Sequence, residues 1–350
     1  MIPYIVLIVL VFGGIWLKEN SLDVCVYNKS VIDLSIIVLF ILFYSLRYNV
    51  GFDYPTYEML ITNGWYDGMV ESKIEYLSYI IMEIAHDNNE PQIFFAITSI
   101  IALSLYFFSF CKYKYSEKSF LWIVLFFLAL PVGFLYSLSI CRQFVASAVL
   151  LFGTKYLLQK SLGKYILCIL VASMFHMTSI LFIILYLATF KKIKLKYICI
   201  ISAVELFASE FIEILIGRVF PVYLTYFEAK DTSSGMLQIL LYSILAVIFL
   251  TFRKQYDACY DLYLRLYLIG LMMCYSFVAI DPTSGVRLGL SGLIYGCFLC
   301  PYIIFNIMNP YYRIITCMGV VILASAMYFY GIIIGGESYV PYKIIMNFCG

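Results

Sequence analysis

Long apolar runs separated by short polar or charged segments dominate the chain. They predict helical spans at roughly 2–17, 31–46, 92–110, 119–138, 143–158, 165–175, 178–190, 197–215, 236–252, 262–280, 288–307 and 314–334. A helix needs about 20 apolar residues to cross a ~30 Å hydrocarbon core, and shorter stretches serve where the protein thins or fills the bilayer. The pattern predicts an all-α polytopic membrane protein with about 12 transmembrane helices, short or re-entrant segments included. Residues 1–350 read as one transmembrane domain. The first run carries neither a basic leader nor a cleavage-site pattern, so it is expected to be a retained helix.

Lysine and arginine set the expected orientation, because basic loops resist translocation. With both termini outside, 16 basic residues face the cytoplasm, among them Lys18, the Lys155 to Lys164 group, the Lys191 to Lys196 cluster, Arg265 and Arg313. Seven face outward: Arg47, Lys73, Arg142, Arg218, Lys230, Arg287 and Lys343. The stretch from Tyr165 to Phe190 has the length of one helix, yet lysines flank it at both ends. Two half-length arms forming a hairpin, with its outward tip near Phe175-His176-Met177-Thr178, reconcile these facts, although arms of about 11 residues are too short for an undistorted bilayer.

The largest polar segment, 47–91, is acidic and is expected on the extracytoplasmic side. Within it, Leu77, Ile80, Ile81 and Ile84 form a helical stripe over Ile74 to Ala85, the pattern of an interfacial helix. A second outward loop covers roughly 216–235, and a third is Asp281 to Arg287.

Composition supports a bilayer setting. The chain has 350 residues, 64% hydrophobic and 13% charged; soluble domains run at about 45–50% apolar and about 25% charged. A net charge of +2 provides no global basic field, which argues against a nucleic-acid partner. Eleven cysteines lie mostly inside apolar runs. Cys297 and Cys300 form a CxxC only by letter, with no second pair or clustered histidine to complete a metal site, so no metal or other cofactor is expected.

Charged residues at span edges tend to line a cavity or bind something. Arg47 closes the second span, Asp53 follows in its loop, Arg142 opens the fifth beside Gln143, His176 lies at the hairpin tip and Arg287 opens the eleventh. Each also has a simpler reading: the arginines as interfacial anchors, His176 as a core imidazole bonded to Thr178 or Ser179, and Asp53 as an Asx-turn residue in Gly51-Phe52-Asp53-Tyr54-Pro55. Glu75 and Asp281 have the same alternative as helix-starting residues. Arginines set apart on the outer face, against the basic inner face, point to an anion, and the planar guanidinium fork suits phosphate.

At these residues the chain resembles the EpsG family of Wzy-type polysaccharide polymerases. The matching elements are Arg47-x-x-x-Gly51-x-Asp53-Tyr54-x-x-Tyr57, the pair Glu75-Tyr76 before a helix, Arg142-Gln143 at a span start, Phe175-His176-Met177-Thr178, a late Arg287 and a terminal Tyr339-Val340-Pro341-Tyr342. Phe52 stands where the family usually has a small polar residue, and the Glu75 element lacks the usual Pro-Gly. The resemblance covers nearly the whole chain.

It implies a GT-C-like membrane glycosyltransferase of the bacterial cytoplasmic membrane. Such an enzyme polymerises undecaprenyl-diphosphate-linked oligosaccharide repeat units on the outer face, alongside a flippase and a chain-length regulator. On this reading Arg142 and Arg287 hold diphosphate, His176 or Asp53 accepts the acceptor proton, and Arg47 orients the Asp53 loop. Tyr54, Tyr57, Glu75 and Gln143 join the substrate-binding set, within reach of membrane lipid. The competing readings are an O-antigen ligase-type transferase, a lipid-linked polysaccharide transporter and a membrane acyltransferase.

Overall fold

The computed structural model describes residues 1–20, 26–63, 74–116, 119–190, 200, 204, 233–252, 258–278 and 281–344. The expected span 197–215 apart from residues 200 and 204, all but the end of the 216–235 loop, and the acids between 64 and 73 lie outside them. Among the described residues three helices are long and apolar enough to cross a membrane: Gln92–Tyr113, Gly235–Phe252 and Pro310–Ile334. Pro282–Leu293 and Gly296–Asn306, bent by 54° at their junction, pass the same test together, as one broken span or a re-entrant loop would, and shorter apolar helices accompany them. The chain is a helical, polytopic membrane protein. It divides into two compact units, one of residues 1–154, 166–180 and 300–350, the other of residues 155–165 and 181–299.

In the first unit α1 (Ile2–Asn20) and α2 (Val26–Ser45) lead into β1 (Arg47–Tyr48), followed by α3 (Tyr54–Asn63), α4 (Tyr76–Asp87) and α5 (Gln92–Tyr113). Next come α6 (Ser119–Ala129), α7 (Phe134–Ser139) and α8 (Cys141–Phe152). Every side chain of α6 is buried, and α1 and Pro310–Ile334 pack against it. Aromatic rings fill the space between α2, α5, α6 and α8. Phe40 meets Phe107 edge-on at 5.3 Å, and Tyr106 stacks on Phe144 at 4.5 Å. By contrast Ile314, Ile315, Met318 and Ile322 on Pro310–Ile334 stay exposed, as side chains facing hydrocarbon would.

The expected span 119–138 is broken. Pro131 lacks an N–H for the helical ladder, and a Cβ on Gly133 would stand 2.1 Å from the Phe127 carbonyl oxygen, so the chain turns tightly before α7. The expected span 288–307 begins earlier, at Pro282, where the Asp281 carboxylate accepts from the Thr283 and Ser284 amides at 3.0 and 3.1 Å. Asp281 is thus a helix cap, the simpler of its two readings.

Between α9 (Leu162–Ser173) and a 3₁₀ helix at Met177–Thr189 the chain breaks at residues 174–176. The arms fold back on each other: the Tyr165 hydroxyl donates to the Phe182 carbonyl at 3.2 Å, and that of Tyr186 to the Lys160 carbonyl at 2.6 Å. The second arm is not the expected α-helix. At ~2.0 Å rise per residue its 13 residues cover about 26 Å, against about 20 Å for an α-helix of equal length. The 3₁₀ form removes much of the length shortfall expected for that arm.

In the second unit, Ala258–Tyr275 and Pro282–Leu293 approach closely at Gly270 and Gly292, where a Cβ on Gly292 would meet the Gly270 Cα at 2.5 Å.

Candidate active site

Four turns of backbone place the polar residues of the first unit. The Arg47 loop comes first. Gly51 has φ +111°, and a Cβ there would lie 2.0 Å from the Leu138 carbonyl oxygen, so only glycine fits. The Gly51 amide donates to the Ser338 carbonyl at 2.7 Å and the Phe52 amide to Ser139 Oγ at 3.1 Å. Tyr339 completes this anchor, its hydroxyl 2.8 Å from Ser139 Oγ, and β2 (Lys343–Ile344) pairs antiparallel with β1. The terminal Tyr339 to Tyr342 element therefore braces the Arg47–Asp53 loop.

Arg47 itself is fully buried. Its Nη1 donates to the Tyr44 carbonyl at 2.5 Å and to Ser99 Oγ at 3.1 Å, its Nη2 to Cys141 Sγ at 3.2 Å, and its guanidinium lies over the Phe95 ring. Gln92 Nε2 donates to the Arg47 and Ser45 carbonyls, and Gln92 Oε1 accepts from the Tyr54 hydroxyl at 3.2 Å. Tyr54 stacks on Phe95 at 4.0 Å. Arg47 and Tyr54 thus sit within the packing that holds the loop in place. Gln92, the first residue of an apolar helix, is the supporting residue that sequence reasoning missed; a lone amide at a helix start was its only signal.

Around Arg142 the arrangement is more open. Arg142 lies in the first turn of α8, where the helix dipole disfavours a cation unless an anion is nearby. That anion is Glu75, whose Oε2 accepts from Arg142 Nη1 at 2.6 Å. Arg142 Nε donates to the Tyr57 hydroxyl at 3.4 Å, and its guanidinium covers the Tyr57 ring. Burial pushes the Tyr57 phenol up to about 12; the Arg142 charge opposes the rise, and Asp53 adds to it. Gln143 is buried beside Arg142, and Asp53 is half-buried at the start of α3.

Glu75 stands at the N-cap position of α4 but makes no side-chain cap. Its Oε1 instead accepts from the Met177 amide at 2.8 Å and lies 3.2 Å from His176 Nδ1, close but outside the alignment of a full hydrogen bond. Burial alone would raise the Glu75 carboxyl. Neighbouring His176, the Arg142 guanidinium and the Met177 amide outweigh it and hold the group at about 2. A carboxylate so low is a permanent charge near neutral pH and a poor proton acceptor.

Glu75 reaches the hairpin tip because α4 docks there. The Leu77 amide donates to the Met174 carbonyl and the Ser78 hydroxyl to the Phe175 carbonyl, each at 2.9 Å. Docking also sets the buried face of α4, which is Ser78, Ile81, Met82 and Ala85 against α5. Of the expected stripe only Ile81 is buried, and Ile84 is exposed. Thr178, one of the alternative partners of the His176 ring, makes no side-chain hydrogen bond among the described residues.

Arg142, Glu75, His176 and Tyr57 therefore form one partly open cluster. The side chains of Arg142 and His176 are each 23% exposed. Arg287 belongs to the second unit, half-buried in the first turns of Pro282–Leu293. Among the described residues no group of three or more His, Cys, Asp or Glu side chains is placed to hold a metal ion.

The sequence profile of the EpsG family matches residues 30–344, a stretch that contains all the elements of this cluster. No curated protein and no solved structure matches the chain. With nine-tenths of its length matched, the chain belongs to the EpsG family, a family of Wzy-like polysaccharide polymerases.

Proposed function

We propose that the protein is a membrane glycosyltransferase that polymerises undecaprenyl-diphosphate-linked oligosaccharide repeat units on the outer face of the bacterial cytoplasmic membrane, in a chain of about 12 crossings. The observation that carries this reading is Glu75 joining a guanidinium and an imidazole in one accessible cluster.

The chemistry follows from the groups present. The acceptor hydroxyl oxygen attacks the anomeric carbon of the donor sugar as the bond from that carbon to the diphosphate oxygen breaks. The electron pair leaves with the diphosphate, and Arg142 offers positive charge where negative charge grows. His176 Nε2 takes the hydroxyl proton. Glu75, being ionised, can only accept hydrogen bonds, so it favours a proton on Nδ1 and leaves Nε2 as the base. Among the two bases considered from sequence, Asp53 and His176, this arrangement favours His176. Asp53, whose charge reaches Tyr57, shapes the same wall of the site.

The ligase-type alternative shares this chemistry and differs only in acceptor. Purified protein given a synthetic lipid-linked repeat unit tests the choice. Products longer than one repeat, with release of lipid diphosphate, are expected. Transfer only to a different acceptor would favour a ligase, and no transfer at all would overturn the reading.

A further inference from the structure

We propose that Glu75 is a displaceable counter-ion: the lipid diphosphate takes Arg142 from it, and the released carboxylate then closes on His176, so donor binding switches on the base. This rests on the reading of Arg142 as the diphosphate-binding group.

Three features of the cluster lead there. First, one carboxylate serves two partners of opposite role, with Oε2 on Arg142 at 2.6 Å and Oε1 near His176 at 3.2 Å. Second, the two contacts are unequal. The arginine contact is a short, charge-assisted hydrogen bond, whereas the imidazole contact is off-line and carries no full hydrogen bond. While Arg142 holds the carboxylate, His176 lacks its full support. Third, Glu75 cannot follow Arg142 away, because the Met177 amide fixes Oε1 at 2.8 Å and the backbone of α4 is tied to Met174 and Phe175. Arg142 can reorient, being a long side chain at a helix start whose other contacts are a 3.4 Å bond to the Tyr57 hydroxyl and the face of the Tyr57 ring.

A diphosphate carries more charge than a carboxylate and can engage two guanidinium N–H groups at once, whereas Glu75 offers Arg142 only Oε2, so the diphosphate outcompetes Glu75 for Arg142. The carboxylate charge left behind then has His176 as its main partner. It aligns Nδ1–H and stabilises the imidazolium formed when Nε2 takes the acceptor proton, which passes to water after the lipid diphosphate departs. Catalytic hydrogen bonds that are long in the free enzyme and tighten with substrate are a general pattern. The arrangement keeps the base weak until a donor is in place.

The test separates affinity from turnover in the full-length protein. Binding of a polyprenyl diphosphate is measured for wild type, Glu75→Gln, Arg142→Ala and His176→Gln, with inorganic diphosphate as the soluble comparison, and elongation rates are measured on the same preparations. Glu75→Gln keeps the shape and an acceptor for the Met177 amide but lifts the competition for Arg142. It is expected to bind the lipid diphosphate about tenfold tighter and to turn over at least tenfold more slowly. His176→Gln is expected to lose turnover with affinity unchanged. If Glu75→Gln binds more weakly or equally while wild type binds and Arg142→Ala does not, Glu75 is a structural support and the counter-ion proposal fails alone. If wild type binds no diphosphate, or Arg142→Ala binds as well as wild type, the reading of Arg142 fails and takes the proposal with it.

Discussion

The Glu75 carboxylate occupies a helix N-cap position and caps nothing; it lies instead 3.2 Å from His176, at the tip of a hairpin distant in sequence. An acid that gives up its local role to sit between an arginine and a histidine marks a site where charge must be managed. The consequences can be measured.

Arg142 is required as an arginine. It donates through Nε to Tyr57 and through Nη1 to Glu75, a fork that a lysine ammonium cannot reproduce. Arg142→Lys is expected to fold normally and to elongate at least about tenfold more slowly, a loss of about 1.4 kcal/mol or more in transition-state stabilisation. Initial rates at matched membrane levels check this.

Arg47 and Arg142 should separate by what fails. Arg47 is fully buried and holds the Tyr44 carbonyl and Ser99, so Arg47→Ala leaves buried acceptors unpaired and is expected to lower the melting temperature and the amount of protein in the membrane. Arg142→Ala is expected to accumulate normally and lack activity. Immunoblots of membranes with activity assays on the same samples decide it.

Acid should erase the benefit of Glu75. Its pKa falls from the ordinary 4.5 to about 2 on folding, so its stabilising effect is fully present above about pH 4.5 and is lost progressively as pH falls towards 2. The difference in melting temperature between wild type and Glu75→Gln should therefore be constant above about pH 5 and shrink below it. Thermal unfolding in detergent at stepped pH measures this.

Gly51 tolerates no side chain. With φ +111° and the Leu138 carbonyl oxygen 2.0 Å from where a Cβ would stand, Gly51→Ala is expected to cost about 1–3 kcal/mol and displace the Asp53 loop. A lowered melting temperature together with reduced turnover is the expected result.

Much of this site was legible in the sequence because charge is scarce in an apolar chain. Lysines at both ends of the 165–190 stretch pointed to the hairpin, and Arg142 and His176 stood out as polar residues at span edges. The break at Pro131 was legible in principle, from a proline and a glycine within an apolar run. The rest depended on backbone placement that no side-chain pattern reports. The Met177 amide fixing Glu75 is an example, and so is the docking of α4 on Met174 and Phe175, which rotates its buried face away from the apolar stripe. The 3₁₀ form of Met177–Thr189 had no sequence signal, since its residues suit an α-helix equally well. The burial of Arg47 was hidden for a similar reason: an arginine at a span end reads alike whether it faces water or packing.

The most direct measurement is the surface glycan ladder of a deletion strain complemented with wild type, Arg142→Ala, Glu75→Gln or His176→Ala, with each protein present at equal levels in the membrane. The account predicts full ladders with wild type, shortened or fainter ladders with Glu75→Gln, and only single repeat units with Arg142→Ala and His176→Ala. Ladders of normal length from either of those two variants would contradict it.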